Sequence, residues 1–179
     1  PYLSIQSFDD TALKRLPLRV TEGRLPQTDT EILIPEHVSS NGGVSIAVGE
    51  TLRLQVGLRQ DSEGYTLWQN AAFHVEDEEH LNQLVEKTYT VVGLYKRPGF
   101  ESFTAPGYTA ITRLDPATLT ADDTVTAYLN MVNTRNIYET LPALVKATGS
   151  DTVIEGYNKE LLRFHGIDPD ENFNAVLYN

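Results

Sequence analysis

Two of the four histidines, His74 and His80, bracket the acidic run Glu76-Asp77-Glu78-Glu79. Two imidazoles and a carboxylate can hold zinc or a related divalent metal, so His74, His80 and Glu76 are the candidate metal ligands. A hydrolase would be built on them. Their spacing of six is not the i, i+4 pair that sets two histidines on one helix face, and no third anchoring signal follows. A solvated acidic segment is the plainer reading. His37 and His165 fall in expected turns, and His165, beside Gly166, suits a helix C-terminus, where cationic groups are favoured.

Other constellations are incomplete. Asp168-x-Asp170-x-Asn172 copies the first half of a calcium loop, but its sixth position is Phe173 and its twelfth is Asn179. The segment is read as a capped turn around Pro169. Gly43-Val44-Ser45-Ile46-Ala47 lacks the second glycine of a nucleophile elbow and leads into a strand. Asp122 and Asp123 are adjacent, so in a strand they point apart and cannot share a substrate. No phosphate-cradling or dinucleotide motif is present, and the expectation is a chain with no catalytic centre and no cofactor. Phe100 and Phe103, between Pro98-Gly99 and Pro106-Gly107, are the candidate partner contact. The competing reading packs both rings beneath their loop.

Composition narrows the classes. The 179 residues suit one domain or two small lobes, and a globule of this size hides roughly 70% of its unfolded surface. A formal net charge of −11 argues against nucleic acid and against docking on anionic lipid. Cysteine is absent, which removes disulfides, thiol catalysis and thiolate-bound zinc. No apolar run approaches the ~18 residues of a membrane span. The 179 residues hold no signal-like segment and begin at Pro1 rather than Met, so the chain is expected to be a piece of something longer.

The elements that must position these residues follow from periodicity. Residues 1–13 read as a lead-in, with Asp9 capping a short helical turn through Lys14. Strand signals follow at Leu16–Val20 and Glu31–Ile34, and Asn41-Gly42-Gly43 marks a turn. Thr51–Val56 alternates, with Leu52, Leu54 and Val56 on one face. The stretch 60–86 suggests a hairpin with an aromatic patch, Tyr65, Trp68 and Phe73, followed by a short helix over 78–87. Thr88–Tyr95 is apolar on both alternating sets, the pattern of a central strand. Tyr108–Thr112 and Thr124–Val132 read as further strands. A helix follows, capped by Asn136 and ended by Gly149, with a stripe of Ile137, Leu141, Leu144 and Val145. Pro142 should distort it near 138–142. Asn158 caps a second helix through Phe164, closed by Gly166, and Asn174–Tyr178 reads as a last strand.

Taken in order, four segments resemble the extracytoplasmic domain of FtsX-like ABC transporter permeases, the MacB-like periplasmic core domain family. The first is Leu16-Pro17-Leu18-Arg19-Val20-Thr21-Glu22-Gly23-Arg24-Leu25-Pro26 with Glu31-Ile32-Leu33-Ile34-Pro35. Val48-Gly49-Glu50, Tyr89–Leu94, and Asn158–Leu162 with Gly166 are the others. Arg97–Thr112 is similar to the Gram-positive, clostridial members. The chain departs from the shortest members by an insertion over 60–87.

The resemblance implies an α+β domain on the extracellular face of the plasma membrane, between the first two transmembrane helices of a permease. A membrane-proximal α/β lobe would combine residues 1–15 with 120–179, and 16–119 would form a distal β-rich lobe. Pro1 and Asn179 would lie close together. Such a domain is non-enzymatic and couples extracellular recognition to a cytoplasmic ATP-binding subunit, alone or beside a second permease subunit. Two rival classes remain. One is a secreted or wall-attached glycan- or peptide-binding module with a groove of Trp68, Tyr65 and Phe73. The other is the metal-dependent hydrolase on His74, His80 and Glu76.

Overall fold

Thr88–Tyr95 forms the inner half of one long strand, and the other strands are placed by it. In the computed structural model, residues 2–68, 71–73, 79–101, 107–120, 123, 125–129, 131–149, 153–154 and 156–167 are described. Among them the strands are β1 (Tyr2–Phe8), β2 (Val20–Gly23), β3 (Glu31–Pro35), β4 (Thr51–Gln60), β5 (His80–Tyr95) and β6 (Gly107–Arg113). They form one mixed sheet in the order β1-β6-β3-β5-β2, with β4 also paired to β5. The β1–β6 and β3–β5 ladders are parallel, and the rest are antiparallel. Helices α1 (Asp10–Arg15), α2 (His37–Gly42), α3 (Ile137–Thr148) and α4 (Lys159–Phe164) complete an α+β fold.

Contacts divide the chain into 1–124 and 125–179. In the first unit, alternation along β3 sorts the core onto two faces. Ile32 and Ile34 join Val38 of α2, Tyr89, Val91 and Ala110 on one side. Leu33 joins Phe8, Leu13 of α1, Tyr95 and Ile111 on the other. Every β3 residue from Ile32 on is buried, as a strand covered on both faces requires. Each such Leu or Ile contributes about 1.5–3 kcal/mol. In the second unit, α3 is followed by α4, whose Leu162 is buried, and the Tyr138 and Tyr157 rings lie 4.7 Å apart.

Several expectations need correction. Residues 1–15, expected to share a lobe with 120–179, contribute β1 and α1 to the sheet unit, because β1 runs its whole length along β6. The strand expected from Leu16 starts at Val20, since Pro17 has no N–H to give a ladder. Of the helix expected over 78–87, residues 80–87 are instead the outer half of β5. There, two residues, Gln83 and Leu84, oppose Gly57 alone, and Gln83 takes φ 55°. That bulge interrupts the alternation that would have revealed a strand. Asn41-Gly42 does not stand in a turn but ends α2, with Gly43 left-handed after it. The alternating residues 125–129, 131 and 132 form no strand; Val125 and Leu129 stay exposed without a ladder partner among the described residues. Helix α3 spans Ile137–Thr148 with Pro142 inside it, where the ring has no N–H to give the helical ladder. Asn174–Tyr178 lies outside the described residues, as do Pro1 and Asn179.

Candidate functional site

Three segments far apart in sequence, around Gly23-Arg24, Gly49-Glu50 and Val91-Val92, are joined by backbone hydrogen bonds. At the end of β2 the chain turns at Gly23, φ 72°, and the Arg24 N–H donates to Val92 O at 2.9 Å. Glycine is required on both sides of this approach. A Cβ at Gly93 would stand 2.6 Å from Arg24 O, and one at Gly23 would overlap the Val92 carbonyl. The Arg24 guanidinium then forks onto Glu31 at the start of β3, with contacts of 2.7 and 2.5 Å. Gln27 N–H donates to the same carboxylate at 2.7 Å. These bonds, Arg24 first, hold the Glu31 carboxyl down at about 2. Gly49 N–H donates to Val91 O, and Val91 N–H to Glu50 O, both at 2.8 Å. Glu-Gly-Arg, Glu31 and Val48-Gly49-Glu50 thus converge on the inner half of β5.

The loop after β5 is pinned by a buried acid. Glu101, with a side chain 2% exposed, accepts from His37 Nε2 and Arg97 Nε at 2.8 Å each through one oxygen. Its other oxygen accepts from Thr109 N–H at 2.7 Å. Behind it Tyr95 donates its hydroxyl to Thr109 O, and burial, then the Glu101 charge, push that phenol well above the usual range. His37 opens α2 rather than sitting in a turn, with its ring edge-on to Tyr108. Phe100 is part-exposed at 42%, and its ring meets Phe8 at 6.3 Å, so it is neither free nor fully packed. Phe103 lies outside the described residues.

A third assembly closes the outer end of the β4–β5 ribbon. Arg59 forks onto Glu79 at 2.6 and 2.9 Å, with side-chain exposures of 11% and 1%. Its Nη1 also donates to the carbonyls of Trp68 and Ala71. The Tyr2 ring lies over the guanidinium at 6.0 Å and edge-on to Phe73 at 5.6 Å. Burial, then the Glu79 charge and a hydrogen bond to it, raise the Tyr2 phenol. Sequence reading missed this assembly. By alternation Arg59 belongs to the solvent series of Arg53 and Gln55, but the returning loop covers it.

Of the three metal candidates, one falls among the described residues. His80 opens β5 and is exposed, while His74 and Glu76 lie outside the described residues. No group of three His, Asp or Glu able to hold a metal occurs among the described residues. His165 is the C-cap of α4, as its neighbour Gly166 suggested. Asp168–Asn179, with the calcium-like half-loop, is outside the described residues. No family model, curated protein or solved structure matches the chain.

Proposed function

We propose that this chain is the extracytoplasmic domain of an FtsX-like ABC transporter permease. It is non-enzymatic and couples recognition outside the cell to a cytoplasmic ATP-binding subunit. One observation carries the reading: two of the four family-like segments, separated in sequence, meet on a third, residues 89–94 of β5, through paired backbones and the Arg24–Glu31 fork. A motif whose residues are jointly needed for one joint is a better mark of kinship than strands beside turns. Its partners in this reading are its own flanking transmembrane helices, the ATPase and, in some assemblies, a second permease subunit.

Two measurements test it. The parent reading frame should place an apolar helix before Pro1 and another after Asn179, with more spans downstream; polar flanks would refute the reading. Because the chain has no cysteine, Ser62→Cys supplies a single thiol on an exposed loop. In intact cells it should react with a membrane-impermeant maleimide. Labelling only after lysis would place the domain inside and overturn the proposal.

A further inference from the structure

The end of the β4–β5 ribbon presents three large aromatic side chains to solvent within nine residues: Tyr65, Trp68 and Phe73, exposed by 67%, 62% and 44%. Single exposed apolar residues need no explanation, but a clustered set on an ordered support does. The support here is well built. Asp61 Oδ1 accepts from the N–H groups of Glu63 and Tyr65, and Gln60 bridges to Thr66. Beneath, buried Arg59 holds the carbonyls of Trp68 and Ala71 while paired to buried Glu79. Aromatics fixed in this way contribute contact area with little ordering cost on binding.

We propose that this ledge docks a partner protein segment in which Lys or Arg side chains are interleaved with apolar ones. Charge decides the partner's sign. From Asp61 to Glu79 the sequence holds six acids and no Lys or Arg; Glu79 is taken by Arg59, which leaves five, in a chain of net charge −11. A cation approaching Trp68 or Tyr65 gains from both the acidic surroundings and the ring face. Polar chemistry decides against a sugar. Arg59 is engaged by Glu79 and two carbonyls, Asn82 Nδ2 donates to Gln60 Oε1, and Asp61 Oδ1 serves its own turn. Among the described residues the ledge therefore offers exposed aromatic rings and acidic side chains, with the Asn82 amide spent on Gln60 and the Arg59 guanidinium on Glu79 and two carbonyls. This inference does not depend on the permease reading, which the flanking sequence tests separately.

Trp68 is the one tryptophan of the chain, so its emission reports on the ledge directly. The 179-residue chain is titrated with a synthetic peptide of Lys and Leu, with a Glu and Leu peptide, and with a chito-oligosaccharide. The Lys–Leu peptide should give a saturable blue shift that weakens as salt rises. Calorimetry should show Tyr65→Ala and Trp68→Ala each weakening that binding about tenfold, with unchanged far-ultraviolet circular dichroism. Phe164→Ala, at an exposed ring on α4, should leave it unchanged. Equal binding of the Glu–Leu peptide, equal loss in Phe164→Ala, no binding of the Lys–Leu peptide, or binding of the sugar alone would each overturn the proposal.

Discussion

Replacing Glu31 by Gln keeps the shape of the β2–β3 joint and removes one charge, which makes the fork with Arg24 a measurable quantity. The Glu31 carboxyl is held at about 2 against an ordinary 4.5. Two and a half pH units at 1.36 kcal/mol each set a ceiling near about 3.4 kcal/mol. Arg24 is nearly half exposed, so solvent screens the pair, and about 1 kcal/mol is the figure to expect at pH 7. The direction follows from proton binding. Between pH 4.5 and 2 the unfolded chain binds more protons at Glu31 than the folded one, so the stabilisation is complete above 4.5. It is lost as pH falls toward 2. Urea titrations followed by Trp68 emission report the sheet unit. Wild type should exceed Glu31→Gln by about 1 kcal/mol at pH 7, and the difference should shrink to near zero at pH 2. A difference that is the same at both pH values would show that the carboxylate acts by shape rather than charge. That result would refute the reasoning.

Other perturbations test other joints. Gly93→Ala places a methyl 2.6 Å from Arg24 O and 2.8 Å from Glu22 O, backbone atoms that cannot swing aside; it should cost about 3 kcal/mol or prevent folding, read by thermal melting. Glu101→Ala strips the carboxylate from His37, Arg97 and Thr109 N–H, and a loss of about 3 kcal/mol with faster proteolysis between 97 and 107 is expected. Asn158→Ala removes the acceptor of Leu161 N–H and should weaken α4 by about 1 kcal/mol, seen as lower helicity with the β signal intact.

Where one rule governed a segment, the sequence was readable. Alternation fixed the first half of β4, dense apolar content fixed the inner half of β5, and Asn158 with Gly166 bounded α4. Reading failed where a tertiary partner sets the structure. β1 has only Leu3 and Ile5 against Ser4 and Gln6, too short a signal to outrank a lead-in without the β6 ladder. The outer half of β5 hides its period because a bulge adds one residue. Of the functional candidates, Phe100 was legible as an aromatic beside a Pro-Gly break, but its contact with the Phe8 ring was not. The polar anchors were not visible, because Glu101 meets His37 across 64 positions and Arg59 meets Glu79 across 20. Neither pairing leaves a spacing that local rules can read. The aromatic patch was legible as residues but not as a ledge, since what makes it firm is a buried arginine that alternation assigns to solvent.

The sixteen residues of β5 form one continuous strand, about 50 Å from end to end at roughly 3.3 Å per residue. Its inner half is gripped on one edge by β3 and on the other by β2, and its outer half carries β4 out to the aromatic tip. In mechanical terms it is a rod clamped at one end and loaded at the other. A sideways push at the tip acts with a long arm on the clamp, where Arg24, Gly49 and Glu50 are tied to it. The bulge at Gly57 and Gln83, where two ladder residues face one, is the compliant section of that rod. Stiffening it with an Asn at the left-handed Gln83, or loosening it with a Gly there, would change how much of a displacement at the tip reaches the sheet without altering either end.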